Sequence, residues 1–581
     1  MDRRDTLTAS LLAAGLMACL LPFAHQGVDL HHDGIMLKPA LDVLSGQVLF
    51  RDTFMQYGAL TCYMQVCALW IQPSLLALRL LTVAAYGASL FFLYAAWRVI
   101  LPRSLTIIAC GVFALLIPAY EKNWLDDYWM LLSWSSVYAV LFQSIGLYAL
   151  FQVIRGLQPE RWGLVLGMTT AAIFWCRQPV GIVLMGCLLV VGLALHWTNW
   201  ERANPARRRI LWNVAGGLGL VMVLPLGGIM LTGAGPEWWY QNFVWPRKWV
   251  TGSVNVNWRD FIVVFVHPGE GAALLVLLLA ALLPGRARKI WPTLSPRWII
   301  GWYLCLALAL AWKSQWTLHV LGLREGGWTV LIPIIVLAQA GFSILEALQA
   351  RAQAKSAEFY LVAALSALSL GSLLQYYPVP DSWHILWSLA PAFGLFVFVF
   401  WRWSGWPASV MTAVMVLAFL PAVYMKAHSA RRSLARPLVE LEKPAVLRGI
   451  RVLPEQARRL GQLSDLLDRI AHHDPTIPSA LIGNDAMYLC FMSNRVNPSP
   501  YFVTWAGLTD PSLEEIRWKN IRRLRPLIYF HKANWEEVGQ FYRGSRYVPL
   551  LYLPDEALEI AVPQELADAM GLGAYGVAKK P

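Results

Sequence analysis

A polytopic α-helical membrane protein with a small C-terminal α/β domain is the fold class this sequence predicts, and three observations predict it. Apolar residues make up 57% of the 581-residue chain and charged residues 14%, against about 25% charged in ordinary soluble domains. Mean hydropathy is +0.49. Apolar runs of about 20 residues, long enough to cross a bilayer, recur from the N-terminus to about residue 425 and then stop. This composition excludes a disordered, collagen-like or disulfide-rich secreted chain. The eight cysteines are scattered without a Cys-x-x-Cys pair, which argues against a zinc or redox site and leaves open a Cys62–Cys67 disulfide. A net charge of +13 would point to nucleic acid in a soluble protein. Here basic loops between spans account for it, and no nucleic-acid partner is expected.

Thirteen runs are long or apolar enough to predict transmembrane helices: roughly 7–24, 75–97, 104–120, 129–153, 162–176, 179–197, 211–232, 262–284, 298–312, 327–346, 358–375, 386–401 and 407–425. The first follows Met1-Asp2-Arg3-Arg4, a start like that of a signal peptide. It has no small-residue cleavage site before His25, so an uncleaved span is expected. With the N-terminus inside, every inner loop is basic, from Arg98 and Arg103 through Arg155, Arg161, Arg207, Arg208, Arg209 and Arg286 to Arg351 and Arg402, as the positive-inside rule requires. An odd number of spans places the C-terminus outside. The expected division is a membrane domain over 1–425, including a first outer loop at 25–74, and an extracytoplasmic domain over 426–581. In the latter, Leu460, Leu463, Leu466, Leu467 and Ile470 show helical spacing, and the runs 479–483, 526–530 and 548–552 read as strands.

The polar residues that could carry chemistry fall in the outer loops. The first loop, about 50 residues long, exceeds what a connector needs. It contains His31-His32-Asp33-Gly34, Leu41-Asp42-Val43-Leu44-Ser45-Gly46 and Arg51-Asp52-Thr53-Phe54-Met55-Gln56-Tyr57-Gly58. Asp33, just past the first span, suits a base acting on a substrate at the lipid boundary; it equally suits the N-cap of a helix beginning near Ile35. In the second outer loop Asp126-Asp127 can bind a divalent cation, orient an acceptor hydroxyl, or start the next helix. Arg177, at the outer end of the fifth span, suits a lipid phosphate through its two-pronged donor geometry or snorkels to the interface. Asp381 reads as a helix N-cap, with His384 one turn later able to donate to a phosphate or sugar hydroxyl. Lys313, His319, Arg324 and Glu325 line another outer loop. No phosphate-cradling Gly-x-x-x-x-Gly-Lys, Gly-x-Ser-x-Gly, His-Glu-x-x-His or dinucleotide-binding fingerprint occurs.

The sequence Asp-Gly, a Leu-x-x-Gly turn, then Arg-Asp-x-Phe-x-x-Tyr-Gly resembles the first loop of bacterial GT-C glycosyltransferases. These are the polyprenyl-phosphate-sugar-dependent enzymes related to protein mannosyltransferases and the aminoarabinose transferase of lipid A. Tyr377-Pro378-Val379-Pro380-Asp381-Ser382-Trp383-His384, followed by a helix containing Pro391, resembles a later segment of the same superfamily. The resemblance implies a multi-pass protein of the bacterial inner membrane with its C-terminus in the periplasm. It implies Asp33 as the catalytic carboxylate and an inverting transfer from a polyprenyl-phosphate-linked sugar donor to a lipid, glycan or protein acceptor. Arg177 and His384, with Arg324 and Lys313, would then meet the donor phosphate or sugar. Asp126, Asp127 and Asp381 would orient the acceptor or a metal. Relatives often carry Asp-Glu where this chain has Asp33-Gly34, and Gly-Pro where it has Gly58-Ala59. One acid in place of two argues against metal binding by that pair, although a divalent cation, Mg or Mn, stays open. The rival expectation is a transporter or flippase of cell-envelope glycan precursors. That reading calls for internal repeats and charges deep within spans, whereas the conspicuous charges here sit at span ends.

Overall fold

In a computed structural model of the chain, the residues described are 1–117, 120–123, 126–197, 206–252, 405–483, 485–492, 497–501, 511–532 and 535–576, with isolated helical positions between 387 and 401. The expected spans at 262–284, 298–312, 327–346 and 358–375 lie outside them, as do Lys313, Arg324, Asp381 and His384.

Helix α1 spans Arg3–Ala24 and is started by Asp2, whose carboxylate accepts the Asp5 N–H at 2.6 Å. One stripe of α1 (Ala9, Leu16, Leu20) is buried, while Leu7 and Leu11 are exposed, as suits a helix with one face towards lipid. α2 (His32–Leu44) and α3 (Ala59–Ile71) lie within the segment expected as the first outer loop. The 13 residues of α3 reach about 20 Å, short of the roughly 30 Å hydrocarbon core. Cys62 and Cys67, both on α3, are free thiols, Cys62 buried and Cys67 exposed. α4 (Leu75–Trp97), α5 (Arg103–Leu116), α6 (Ser135–Ile154), α7 (Pro159–Cys176), α8 (Gln178–Trp197) and α9 (Ala206–Leu231) follow. Four described helices, α1, α4, α6 and α9, are long and apolar enough to cross a membrane. α4 packs between α1 and α6, and α7 packs between α6 and α9.

The expected span at 129–153 is corrected at its start. Residues Tyr120–Asn123 and Asp126–Met130 form an antiparallel hairpin, β1 and β2, and the helix begins at Ser135. Trp129 is held out of the helix because its N–H donates to Ser433 Oγ (2.8 Å) and its indole to Ser429 Oγ (2.9 Å). Both serines belong to a helix at Ala408–Leu434. Asp126 and Asp127 therefore open a strand and do not start the next helix.

A turn of helix at Gly235–Trp239 (α10), a π-helical turn at Tyr240–Val244 and α11 (Trp245–Gly252) complete the N-terminal half. Then come α12 (Ala408–Leu434), the short pair β3 (Val439–Glu440) and β4 (Arg451–Val452), and α13 (Pro454–His473). α13 buries Leu460, Leu463, Leu467 and Ile470 along one face. It lies beside a four-stranded sheet ordered β5-β6-β8-β7, made of Ser479–Ile482, Leu527–His531, Leu558–Pro563 and Tyr547–Leu553. Only β5 and β6 are parallel. β8 is an element the sequence reading lacks: its six residues are all buried, including Glu559, so it shows no alternation of polar and apolar positions. Connecting helices are α14 (Met487–Cys490), α15 (Pro511–Leu524) and α16 (Trp535–Gly544). Ile35 and Phe54, from the segment between α1 and α3, belong to the same buried cluster as Leu463, Tyr488, Tyr529 and Ile560.

Candidate active site

Four residues before the candidate base, Asp29 starts α2. Its Oδ1 accepts the backbone N–H groups of His31 (2.9 Å) and His32 (2.7 Å), and its Oδ2 lies 2.8 Å from His32 Nδ1. Asp33 answers with Oδ2 accepting the Asp29 N–H at 3.0 Å, a reciprocal cap of the capping-box kind. The capping role that the sequence offers Asp33 thus falls to Asp29, and Asp33 sits in the first turn of α2.

Asp33 is 1% exposed and receives a hydrogen bond from Arg79 Nη2 at 2.7 Å. Arg79 is itself fully buried in α4, and its Nη1 also donates to the carbonyls of Gln26 (2.7 Å) and Ala24 (3.4 Å). One guanidinium therefore fixes the end of α1 and the start of α2 together. Sequence reasoning passed over Arg79, although an arginine five residues into the apolar run 75–97 is the costly kind of charge that marks a partner within the protein. Burial raises the Asp33 carboxyl against the opposing charge of Arg79, which favours a group able to accept a proton. Asp33 Oδ1 is buried and has no hydrogen-bond partner among the described residues. For Asp29 burial is outweighed by the charge and hydrogen bond of His32, which bring the carboxyl down to about 2. His32 is raised in turn: burial opposes its charged form, and Asp29 more than offsets it.

Further along α2, Lys38 and Asp42 form a second buried ion pair, and Thr53 Oγ1 donates to Asp42 Oδ2 at 2.7 Å. This ties the far end of the loop back onto its helix. Gly34 has a steric reason of its own. A Cβ there would overlap the backbone nitrogen of Met487, whose N–H donates to the Leu30 carbonyl at 2.9 Å. The departure from Asp-Glu thus lets α14 lie directly on α2, and it carries Asp485 and His531, 3.3 Å apart, towards the first-loop cluster. Burial lifts Asp485 to about 6, with Lys532 opposing and Asp29 adding to the rise; burial and Lys532 depress His531 to about 3.

Arg177 lies just past α7, and its guanidinium donates to Ser136 Oγ at the start of α6. The Gly58 N–H donates to the Cys176 carbonyl at 3.2 Å, and a Cβ on Gly58 would overlap the Trp175 carbonyl oxygen. The Tyr57-Gly58 end of the loop therefore sits against Arg177. Contacts run from Asp33's neighbour His32 to Trp134 (ring centroids 5.0 Å) and from Trp134 to Tyr57 (6.0 Å), beside Arg177. Asp33 and Arg177 are thereby brought to one region. Asp126 and Asp127 are placed by backbone alone, on β2.

Among the described residues no three His, Cys, Asp or Glu side chains are grouped to hold a metal ion. Asp29 and Asp33 commit oxygens to His32, Arg79 and backbone amides.

No protein-family model and no curated protein matches the sequence. Among solved structures, the oligosaccharyltransferase of Archaeoglobus fulgidus tethered to an acceptor peptide containing the NVT sequon matches with a TM-score of 0.50 at 10% identity, over 97% of this chain and 74% of that one. The same protein with Zn and sulfate gives 0.48 at 11% identity, over 97% and 73%. ArnT of Cupriavidus metallidurans bound to undecaprenyl phosphate gives 0.44 at 11% identity, over 96% and 97%. At these identities the likeness is one of fold alone: the chain is built like the oligosaccharyltransferase.

Proposed function

We propose that this protein is an integral-membrane glycosyltransferase that moves a sugar from a polyprenyl-phosphate donor to a lipid, glycan or protein acceptor on the extracytoplasmic side. The observation that carries this reading is the Asp33 carboxylate. It lies just beyond α1, is held by Arg79, is raised by burial, and keeps one oxygen without a partner among the described residues. The fold shared with an oligosaccharyltransferase supports it.

In the reaction the acceptor's nucleophilic oxygen or nitrogen attacks the anomeric carbon as the bond from that carbon to the phosphate oxygen breaks, with inversion. The acceptor's proton passes to Asp33 Oδ1, and the bonding electrons leave with the lipid phosphate. Asp33 acts as base on one face. Arg177, with His384, Arg324 and Lys313, stabilises the departing phosphate on the other, and Asp126, Asp127 and Asp381 orient the acceptor. Residues 426–581 form the extracytoplasmic unit that covers the site. The flippase reading has one observation on its side, the buried Arg79 charge inside α4, yet that charge is neutralised by Asp33.

The test is an Asp33→Asn variant of the full chain in nanodiscs, assayed against a panel of polyprenyl-phosphate sugars. Transfer should fall by about 10²–10⁴, measured at a temperature where the variant is folded, since Arg79 loses its buried counter-charge and the unfolding midpoint should fall as well. Wild-type turnover by the folded variant removes the base assignment.

A further inference from the structure

The start of α1 and the ends of α4 and α6 meet around a cavity of about 320 Å³ that the transfer reaction does not use. All three helices are long and apolar enough to cross a membrane. Their other ends lie in the Asp33 region, where Arg79 donates to the Ala24 carbonyl and Ser136 accepts from Arg177. From Arg79 to Arg98, α4 rises about 28 Å at 1.5 Å per residue, close to the roughly 30 Å of the hydrocarbon core. The cavity therefore sits at the opposite face of the bilayer from Asp33, at the depth of lipid headgroups. In the orientation that the basic loops predict, that face is the cytoplasmic one.

The polar lining consists of Asp2, Asp5, Arg98, Tyr148, Gln152 and Arg155. Asp5 is 5% exposed and already committed. Its carboxylate accepts from Arg103 Nε (2.8 Å), Tyr94 (3.0 Å) and Arg98 Nε (3.1 Å). Asp2 caps α1 and lies 3.5 Å from Arg103 Nη2. Arg98 and Arg103 thus balance the two carboxylates, and Arg155 is left as the excess charge. Arg155 is the C-cap of α6, exposed, and its guanidinium makes no hydrogen bond or ion pair among the described residues. Arg98 spends Nε on Asp5 and Nη1 on the Leu101 carbonyl at 2.9 Å, while its Nη2 has no described partner. The most telling group is Gln152. It is 5% exposed, lines the cavity, and its amide makes no hydrogen bond among the described residues. A buried amide is compensated only by a partner, and here the partner's place is the cavity. The Tyr148 hydroxyl beside it is also without a described hydrogen bond.

We infer that this cavity binds a phosphate group, supplied by the headgroup of an anionic phospholipid in the adjoining leaflet. Two guanidinium groups, an amide N–H and a phenol converge on one space, a donor set suited to phosphate oxygens. A phosphodiester carries one negative charge, which matches the single excess of Arg155. The position at headgroup depth, between span ends, is where basic pockets meet anionic lipid. Because the cavity shares no residue with the Asp33 region, the inference does not rest on the transferase reading. An occupied site would tie the start of α1 to the ends of α4 and α6 at the face away from Asp33.

The test titrates delipidated full-length protein in detergent with phosphatidylglycerol and counts bound lipid by native mass spectrometry, with diacylglycerol as the uncharged control. Wild type should hold phosphatidylglycerol and not diacylglycerol. Arg155→Gln, at an exposed position where folding is undisturbed, should weaken binding about tenfold, and Gln152→Leu should weaken it severalfold. Arg161→Gln removes an exposed arginine in the first turn of α7 that does not line the cavity, and should leave affinity unchanged. Inorganic phosphate distinguishes the source. Phosphate bound as tightly as the lipid, and lost in Arg155→Gln, makes a free anion the occupant and overturns the lipid assignment. Wild-type affinity in both folded lining variants, equal binding of diacylglycerol, or the same loss in Arg161→Gln as in Arg155→Gln overturns the site itself.

Discussion

The loop between α1 and α4 and the strand-end region that docks on it both bury ionisable groups, and they differ in the partners set against them. In the first, Asp33 meets Arg79, Lys38 meets Asp42, and Asp29 meets His32. Each acid has a cationic partner; burial still raises Asp33 and Asp42 against Arg79 and Lys38, while His32 brings Asp29 down. In the second, Asp485 and His531 touch at 3.3 Å, yet Asp485 rises to about 6 and His531 drops to about 3. At intermediate pH each is pushed towards its uncharged form. The contrast separates a region where each buried acid faces a cation that also holds backbone in place from one where an acid and a histidine that touch are both shifted by burial, with Lys532 acting on each.

Breaking a compensated pair should cost most. Arg79→Leu leaves Asp33 buried without its cation and should lower the stability of the full chain by about 3–5 kcal/mol, read as the unfolding midpoint in detergent. Asp33→Leu combined with it should recover most of the loss. If the single variant is as stable as wild type, the pair does not organise the junction of α1, α2 and α4.

A smaller effect should follow from separating the two regions. Gly34→Ala places a methyl on the Met487 backbone nitrogen and should cost about 3 kcal/mol, with faster proteolysis in residues 485–501. Alanine tolerated there, with unchanged proteolysis, would mean that α2 and α14 are not in direct backbone contact.

The smallest effect sharpens the electrostatic contrast. The folded state holds the Asp485 proton more tightly than the unfolded chain, its carboxyl moving from 3.8 to about 6. Its contribution is present below about pH 4 and is lost as pH rises through about 6. Asp485→Asn should therefore stabilise the protein by on the order of 2 kcal/mol above pH 7 and by little at pH 4, measured as unfolding midpoint against pH. A pH-independent difference would show that hydrogen bonding, and not titration, sets the cost.

Much of the helical layout could be read from the chain because span length and apolar content are local properties: the run 75–97 is α4 residue for residue. Misreadings arose where a distant partner decided the backbone. Trp129 reads as the start of a span until Ser429 and Ser433, some 300 residues away, take its donors. β8 hides because both of its faces are covered, which erases the period-two signal. The position of Asp33 just beyond the first helix was legible in the sequence. Arg79 carried a legible signal, a cation within an apolar run. Asp29 did not, since an aspartate before a helix is common in any loop.

The sequence by itself determined that the chain belongs in a bilayer and where several of its helices run, because burying about 20 apolar residues in hydrocarbon depends on composition and length alone. Tertiary structure decided which charges survive burial. An ion kept from water is stable only beside a partner, and the partners of Asp33 and Arg177 lie 46 and 41 residues away, distances that no local pattern encodes.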